Sequence, residues 1–274
     1  SGVLPIAAIA KGVGFRDLIV PKGTGKEASR IEGLRVIEVS SLMELIDFLE
    51  GRRAIEPTSS SADLPALKFS VDFRDIKGQE KAKRALTVAA AGGHNILMTG
   101  PPGGGKTILA KALPSILPEL SPAESLEVTK IYSVAGLLSD EEPFVLHPPF
   151  RNPHHTSSHV SIIGGGTNPR PGEATLAHYG VLFLDEFPEF DRRVIESLRE
   201  PLEERKITVA RARGTETFPA HFMLVAAMNP CPCGNYGNPA KPCICSAAAV
   251  MKYRKKISGP MLDRIDIHIE TAPV

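Results

Sequence analysis

The sequence predicts an α/β protein: a parallel sheet covered by helices on both faces, three layers in all, preceded by a small α/β segment. Three observations carry this. Short unbroken apolar runs at 95–99, 180–186 and 222–228 read as strands buried on both faces. Helical patterns separate them, as connections between parallel strands require. The run GPPGGGKT at 100–107 follows the first of these strands and opens a helix, which is the setting a phosphate-binding loop needs.

Taken in order, residues 1–53 alternate helix (4–13), strand (17–20), strand (34–39) and helix (41–49). Ser40 or Ser41 can cap the last helix, and Glu44, three residues after Ser41, completes a capping box. About fifty residues make a weak core alone, so the chain is expected to begin inside a domain. Residues 54–68, rich in Ser, Pro and Ala without apolar period, read as a linker. From 69 to 274 the strand–helix alternation sets in, with a helix over 79–91 closed by Gly92-Gly93 and another over 107–113. A Pro-, His- and Gly-rich stretch at 143–171 reads as an irregular insert. Beyond it lie a helix over 192–204 and a hairpin around Gly214.

The chain has 274 residues with 32 basic and 31 acidic side chains, a formal charge of +1. Nucleic-acid binding would therefore need a local patch rather than global charge. No run of eighteen apolar residues and no signal-peptide pattern occur. A soluble, cytoplasmic protein without membrane contact is expected.

The glycines of the loop let the backbone wrap a phosphate chain. The nucleotide-binding stretch is Gly100, Pro101, Pro102, Gly103, Gly104, Gly105, Lys106, Thr107 and Ile108. Lys106 is the group to reach the terminal phosphates and Thr107 the hydroxyl to ligand Mg²⁺. Asp185 and Glu186 end an apolar strand, at the sheet edge where ligand chemistry collects. Asp185 is assigned to the metal and Glu186 to the proton of attacking water. Asn229 ends another apolar strand, where it can orient water or touch a γ-phosphate; a turn-forming Asn before Pro230 is the alternative. Arg264, in LDRID, is either a surface ion-pair residue or the group that ring ATPases insert into a neighbour's site.

All four cysteines fall in CPCGNYGNPAKPCIC: Cys231, Cys233, Cys243 and Cys245. Two close thiol pairs joined by a Gly/Asn/Pro turn suit a tetrahedral structural Zn²⁺, with free thiols or a redox pair as alternatives. Arg205, Lys206, Arg211 and Arg213 mark the hairpin as either a solvated ribbon or a grip for nucleic-acid phosphates. Lys252, Arg254, Lys255 and Lys256 read as a solvated helix face, and His154, His155 and His159 as loop hydrogen-bonding groups.

The strings FRDIKGQEKAKRAL, GPPGGGKT, PFRNPHHTSS, GGGTNPRPGEATLAHYGVLFLDEFPEFDRRVIESLREPLEE, MNPCPCG and GPMLDRIDIHIE together resemble the magnesium chelatase-related AAA+ ATPases of the ComM/YifB type. The resemblance implies a five-stranded P-loop AAA+ core over 69–274, with the helical lid missing, and assembly into a ring, a hexamer in the full-length protein. It makes Lys106 and Thr107 Walker A, Asp185 and Glu186 Walker B, Asn229 sensor 1 and Arg264 a trans arginine finger. Ile76 and Gly78 resemble the segment flanking adenine. The implied activity is Mg-dependent ATP hydrolysis by a motor on DNA, in helicase or branch-migration work tied to competence-related recombination. The alternative is a chelatase-type subunit that remodels a partner protein. Residues 1–53 resemble the C-terminal part of a Lon-protease-like domain. Leu4 stands where such a site would carry its Lys, so proteolysis is not expected.

Overall fold

The computed structural model describes residues 3–29, 31, 33–58, 70–139, 144–166, 170–211, 214–239 and 241–272. Contacts divide the chain into two compact units, Ser1–Leu67 with Pro122–Val145, and Lys68–Ser121 with Leu146–Val274.

The first unit pairs the strands Asp17–Pro21 and Arg35–Val39 in parallel. A small core of Ala7, Val20, Ala28, Ile31, Leu34 and Val36 packs against Leu126 and Phe144. Helix Leu42–Leu49 begins as its sequence predicts: Ser41 Oγ accepts from the Glu44 N–H at 3.2 Å. Glu44 returns the bond to the Ser40 N–H at 2.7 Å, one residue earlier than an ideal capping box.

Sequence order puts 122–145 in the second domain with no recognised element. The structure forms the helix Pro122–Ala135 there, and its contacts group it with the first unit. The reason is chemical. The buried positions of that helix are Ser125, Val128, Thr129 and Ser133, so the hidden face is mostly polar and leaves no apolar period. Thr129 Oγ1 donates to the Ser125 carbonyl at 2.6 Å and accepts the Val145 N–H at 3.0 Å, which satisfies the buried hydroxyl.

The second unit is built on five parallel strands, here β1 (Ile96–Thr99), β2 (Phe150–Arg151), β3 (Val181–Leu184), β4 (Met223–Met228) and β5 (Ile267–Glu270). Their order across the sheet is β5-β1-β4-β3-β2. Alternation divides their side chains between two cores. Leu182, Leu184, Leu224 and Ala226 pack with Phe187, Val194, Ile195 and Leu198 on one face. Ile96, Met98, Val181, Phe183 and Val225 pack with Leu86, Leu109 and Leu113 on the other. The latter come from helix α1 (Glu80–Gly92), α2 (Lys106–Ala112) and the turn after it. The expected helix over 192–204 divides into Arg192–Ser197 and Arg199–Glu204, because Pro201 has no N–H to donate back to Ser197. The hairpin strands are Lys206–Arg211 and Gly214–Pro219.

Asn95 staples the central strands at their entry. Its Oδ1 accepts the Leu224 N–H at 2.8 Å, its Nδ2 donates to the Arg264 carbonyl at 2.9 Å, and its own N–H meets Asp266 Oδ2 at 2.8 Å. Asn95→Ala removes the first two bonds and leaves a part-buried N–H unpaired. We expect a loss of about 1–3 kcal/mol in urea unfolding, and an unchanged midpoint would refute the staple.

Candidate functional site

The parallel register carries the ends of β1, β3 and β4 to one edge of the sheet, where a cleft of about 410 Å³ opens. It is lined by Pro102 to Ile108, Asp185, Glu186, Met228 and Asn229. The loop after β1 needs its glycines for two separate reasons. Gly103 and Gly105 sit at φ +77, and a Cβ on Gly100 would stand 2.7 Å from the Thr271 backbone oxygen.

Lys106 is 8% exposed. Its Nζ donates to the carbonyls of Gly100 at 2.7 Å and Pro101 at 2.9 Å, and to Asn229 Oδ1 at 3.3 Å. Burial lowers its pKa, and the charge of Asp185 opposes that shift only in part. An anion arriving at the loop would therefore be favoured by an ammonium short of counter-charge. Thr107 Oγ1 donates to Asp185 Oδ2 at 2.7 Å. A hydroxyl and a carboxylate side by side at the mouth of the loop are a fitting hard-oxygen set for Mg²⁺.

Glu186 adopts a left-handed conformation, φ 52, with its N–H on Asp185 Oδ1 at 2.9 Å. Such backbone in a non-glycine residue costs energy and gathers at functional sites. Here the two adjacent carboxylates meet different partners, Asp185 with Thr107 and Glu186 with His155. Glu186 Oε2 lies 3.1 Å from His155 Nδ1, so one of the three insert histidines belongs to this cleft. His154, by contrast, bonds Thr156 Oγ1 within its own loop at 2.8 Å. Asn229 also reaches beyond the cleft: its N–H bonds the Tyr253 hydroxyl, whose pKa burial pushes up to about 12 against that bond.

The structure thus gathers Gly100 to Ile108, Asp185, Glu186 and Asn229, and does not bring Arg264 to them. Arg264 Nη1 donates to the Pro260 carbonyl at 2.5 Å and Nη2 pairs with Glu203. Two residues escaped the sequence reading as parts of the site, His155 and Gln79. Gln79, left-handed at φ 54, donates from Nε2 to the Gly104 carbonyl at 3.2 Å and the Ala272 carbonyl at 2.8 Å. It also lines a second cleft of about 390 Å³ with Lys77, Gly78 and Glu270. The sequence pattern places Gln79 at the start of its helix over 79–91, and the structure makes it the residue that precedes the helix Glu80–Gly92. Of the basic hairpin residues, Arg205 and Lys206 are exposed, Arg211 is described by its backbone alone, and Arg213 lies outside the described residues.

The four cysteine sulfurs lie within 4.8 Å of one another. The pairs Cys231–Cys233, Cys231–Cys243 and Cys233–Cys243 stand at 3.4, 3.7 and 3.6 Å. Zn–S bonds in a tetrahedron place sulfurs about 3.8 Å apart, so the donor set and spacing fit zinc. Backbone N–H groups point at the sulfurs as they would at thiolates: Tyr236 to Cys231 at 3.3 Å and Cys245 to Cys243 at 3.4 Å. The Asn235 N–H, with that of Ile244, holds the Cys233 thiol down at about 6. Cys243 has the Cys245 N–H pulling it down, but partial burial and the neighbouring sulfurs outweigh this and push it up to about 12. A cation would displace those protons.

The sequence pattern of the family described as magnesium chelatase, subunit ChlI, matches residues 72–274. The chain belongs to this family. Relatives include an uncharacterized protein of Mycobacterium tuberculosis, 46% identical over 98% of this chain and 53% of its own length. Competence protein ComM of Haemophilus influenzae is 44% identical over 98% of this chain and 53% of its own. YifB of Escherichia coli, also uncharacterized, is 45% identical over 93% of this chain and 50% of its own. The chain is thus a magnesium chelatase-related protein of the ComM/YifB type, and it spans about half the length of the curated relatives it matches. The family's match contains all five strands of the parallel sheet and also the helix Pro122–Ala135 of the first unit. No helix among the described residues is long and apolar enough to cross a membrane.

Metal analysis of this ChlI-family protein purified without added zinc should return about one zinc per chain, and the Cys231→Ser/Cys243→Ser double variant well under half that. A wild-type value near zero would overturn the zinc assignment.

Proposed function

We propose that this chain is the ATP-binding and ATP-hydrolysing AAA+ module of a ring-forming motor that acts on DNA in the cytoplasm. The observation that carries the reading is the single cleft in which Lys106, the Thr107–Asp185 pair, Glu186 and Asn229 converge. The backbone of Gly100 to Thr107 cradles the phosphate chain, and Lys106 exchanges its carbonyl partners for phosphate oxygens. Thr107 and Asp185 would hold Mg²⁺, which would supply positive charge against the developing negative charge of the phosphates. Glu186 takes the proton of the attacking water. His155 sets the direction of the Glu186 carboxylate, and Asn229 bridges Lys106 and the terminal phosphate. Arg264, tied to Glu203 on the outside of its own chain's cleft, serves a neighbouring subunit.

The DNA half of the reading is supported by the exposed Arg205 and Lys206 at the base of the hairpin and by the competence name of one relative. The family's description favours a second reading, a chelatase-type subunit whose ATPase cycle remodels a partner protein.

In the full-length protein, Glu186→Gln should reduce kcat for ATP hydrolysis by about 10²- to 10⁴-fold while leaving nucleotide binding intact. A Glu186→Gln protein that turns over like wild type would overturn the assignment. Wild-type hydrolysis should rise on adding single-stranded or branched DNA; a rate indifferent to both would end the DNA reading and favour the partner-protein one.

A further inference from the structure

We propose that the four-cysteine knuckle is a metal-dependent brace of the phosphate loop, so that filling the thiol cluster and binding nucleotide reinforce each other. The inference rests on the reading of the cleft as a nucleotide site and of the cluster as a zinc site.

The knuckle starts two residues after Asn229, and its first thiol, Cys231, is fully buried. The turn that follows brings Gly234 against the phosphate loop. Gly234 sits at φ +79, and a Cβ there would stand 2.5 Å from Pro102 Cδ and 2.7 Å from Pro102 Cγ. The backbone of the knuckle therefore touches the ring of a residue that lines the cleft. Its own turn is fixed to the cluster, since the Gly234 N–H bonds the Cys231 carbonyl at 3.0 Å and the Tyr236 N–H bonds Cys231 Sγ at 3.3 Å.

A second connection runs through helix α3 (Ala247–Arg254), which leaves the knuckle directly after Cys245. Arg254 Nε donates to the Pro230 carbonyl at 3.3 Å, and its guanidinium lies 5.1 Å from the centre of the Tyr236 ring. The adjacent Tyr253 takes the Asn229 N–H. Lys252, Arg254, Lys255 and Lys256 are all exposed, as a solvated face requires, and Arg254 with Tyr253 also ties the knuckle to the strand end carrying Asn229.

The energetic logic follows from composition. Between Cys231 and Cys245 the chain is mostly Gly, Asn, Pro and Lys, and Tyr236 and Ile244 are exposed. Few apolar contacts oppose the entropy of ordering it. Closure of the four thiols must supply that ordering, and for structural zinc the binding free energy is folding free energy. Opening the cluster releases Gly234 from Pro102 and loosens Asn229, two supports of one cleft. Linkage then makes the effect mutual: whatever factor zinc adds to nucleotide affinity, nucleotide adds to zinc affinity.

The test uses the full-length protein and a fluorescent ADP analogue with Mg²⁺. Chelator-stripped protein should bind the analogue about tenfold more weakly than the zinc-loaded protein, within the usual range of coupling between sites. Saturating ADP should slow zinc release to a chromogenic chelator. Gly234→Ala should stay folded and keep its zinc, at an unfolding temperature lowered by the strained φ and the contact with Pro102, and should weaken the analogue several-fold. Equal affinity of stripped, still-folded protein would overturn the proposal. Where stripping unfolds the protein, Gly234→Ala decides, and wild-type affinity in that variant overturns it. Zinc-loaded wild type that binds no analogue would fell the nucleotide reading and the brace together, whereas binding that ignores zinc fells the brace alone.

Discussion

Parallel pairing is the constraint on which the second unit depends. With β4 hydrogen-bonded between β1 and β3, all three strands run the same way, so whatever follows each of them is delivered to one edge. The phosphate loop, the Asp185-Glu186 pair and Asn229 lie far apart in sequence and meet only through that register. A one-residue slip of β4 would exchange the side chains of two apolar cores and withdraw Asn229 from Lys106. The complete burial of β3 and near-complete burial of β4 make such a slip costly, and Asn95 pins the opposite end of β4.

The electrostatics of the cleft are built on a deficit. Lys106 is buried among carbonyl dipoles with one carboxylate near it, and that carboxylate is already engaged by Thr107. Burial lowers the proton affinity of the amine, and a phosphate oxygen would restore what burial removes. Glu186 stands apart from this arrangement. Its backbone is left-handed and its carboxylate meets His155, while that of Asp185 meets Thr107.

What could be read in advance follows the range of the determinants. The phosphate loop is local: eight consecutive residues specify it, and the strand and helix beside it are plain from their apolar runs. β3 and β4 were legible for the same reason. β2 was not, because two residues, Phe150 and Arg151, carry no period, and their strand character comes from pairing with Val181 and Leu182. Helix Pro122–Ala135 was hidden by its polar buried face. Gln79 and His155 reach the cleft through backbone turns that put a side chain across long gaps in sequence. The sulfur cluster was legible because its spacing is itself the chemistry, whereas the contact of Gly234 with Pro102 depends on a turn no spacing announces.

The grouping of Pro122–Val145 with the chain's first residues has a consequence for how the protein is made. A ribosome delivers the N-terminal strands and helices well before Leu126 and Phe144, which pack on their core, and β1 with its loop emerges in between. The first unit is therefore discontinuous in sequence, whereas domains folding during synthesis generally complete as units in order. Leu126 and Phe144 reach the first unit's core only after the loop and α2 have been made. Cutting the chain at the Ser- and Pro-rich stretch would consequently separate a core from part of its own filling rather than divide two finished modules.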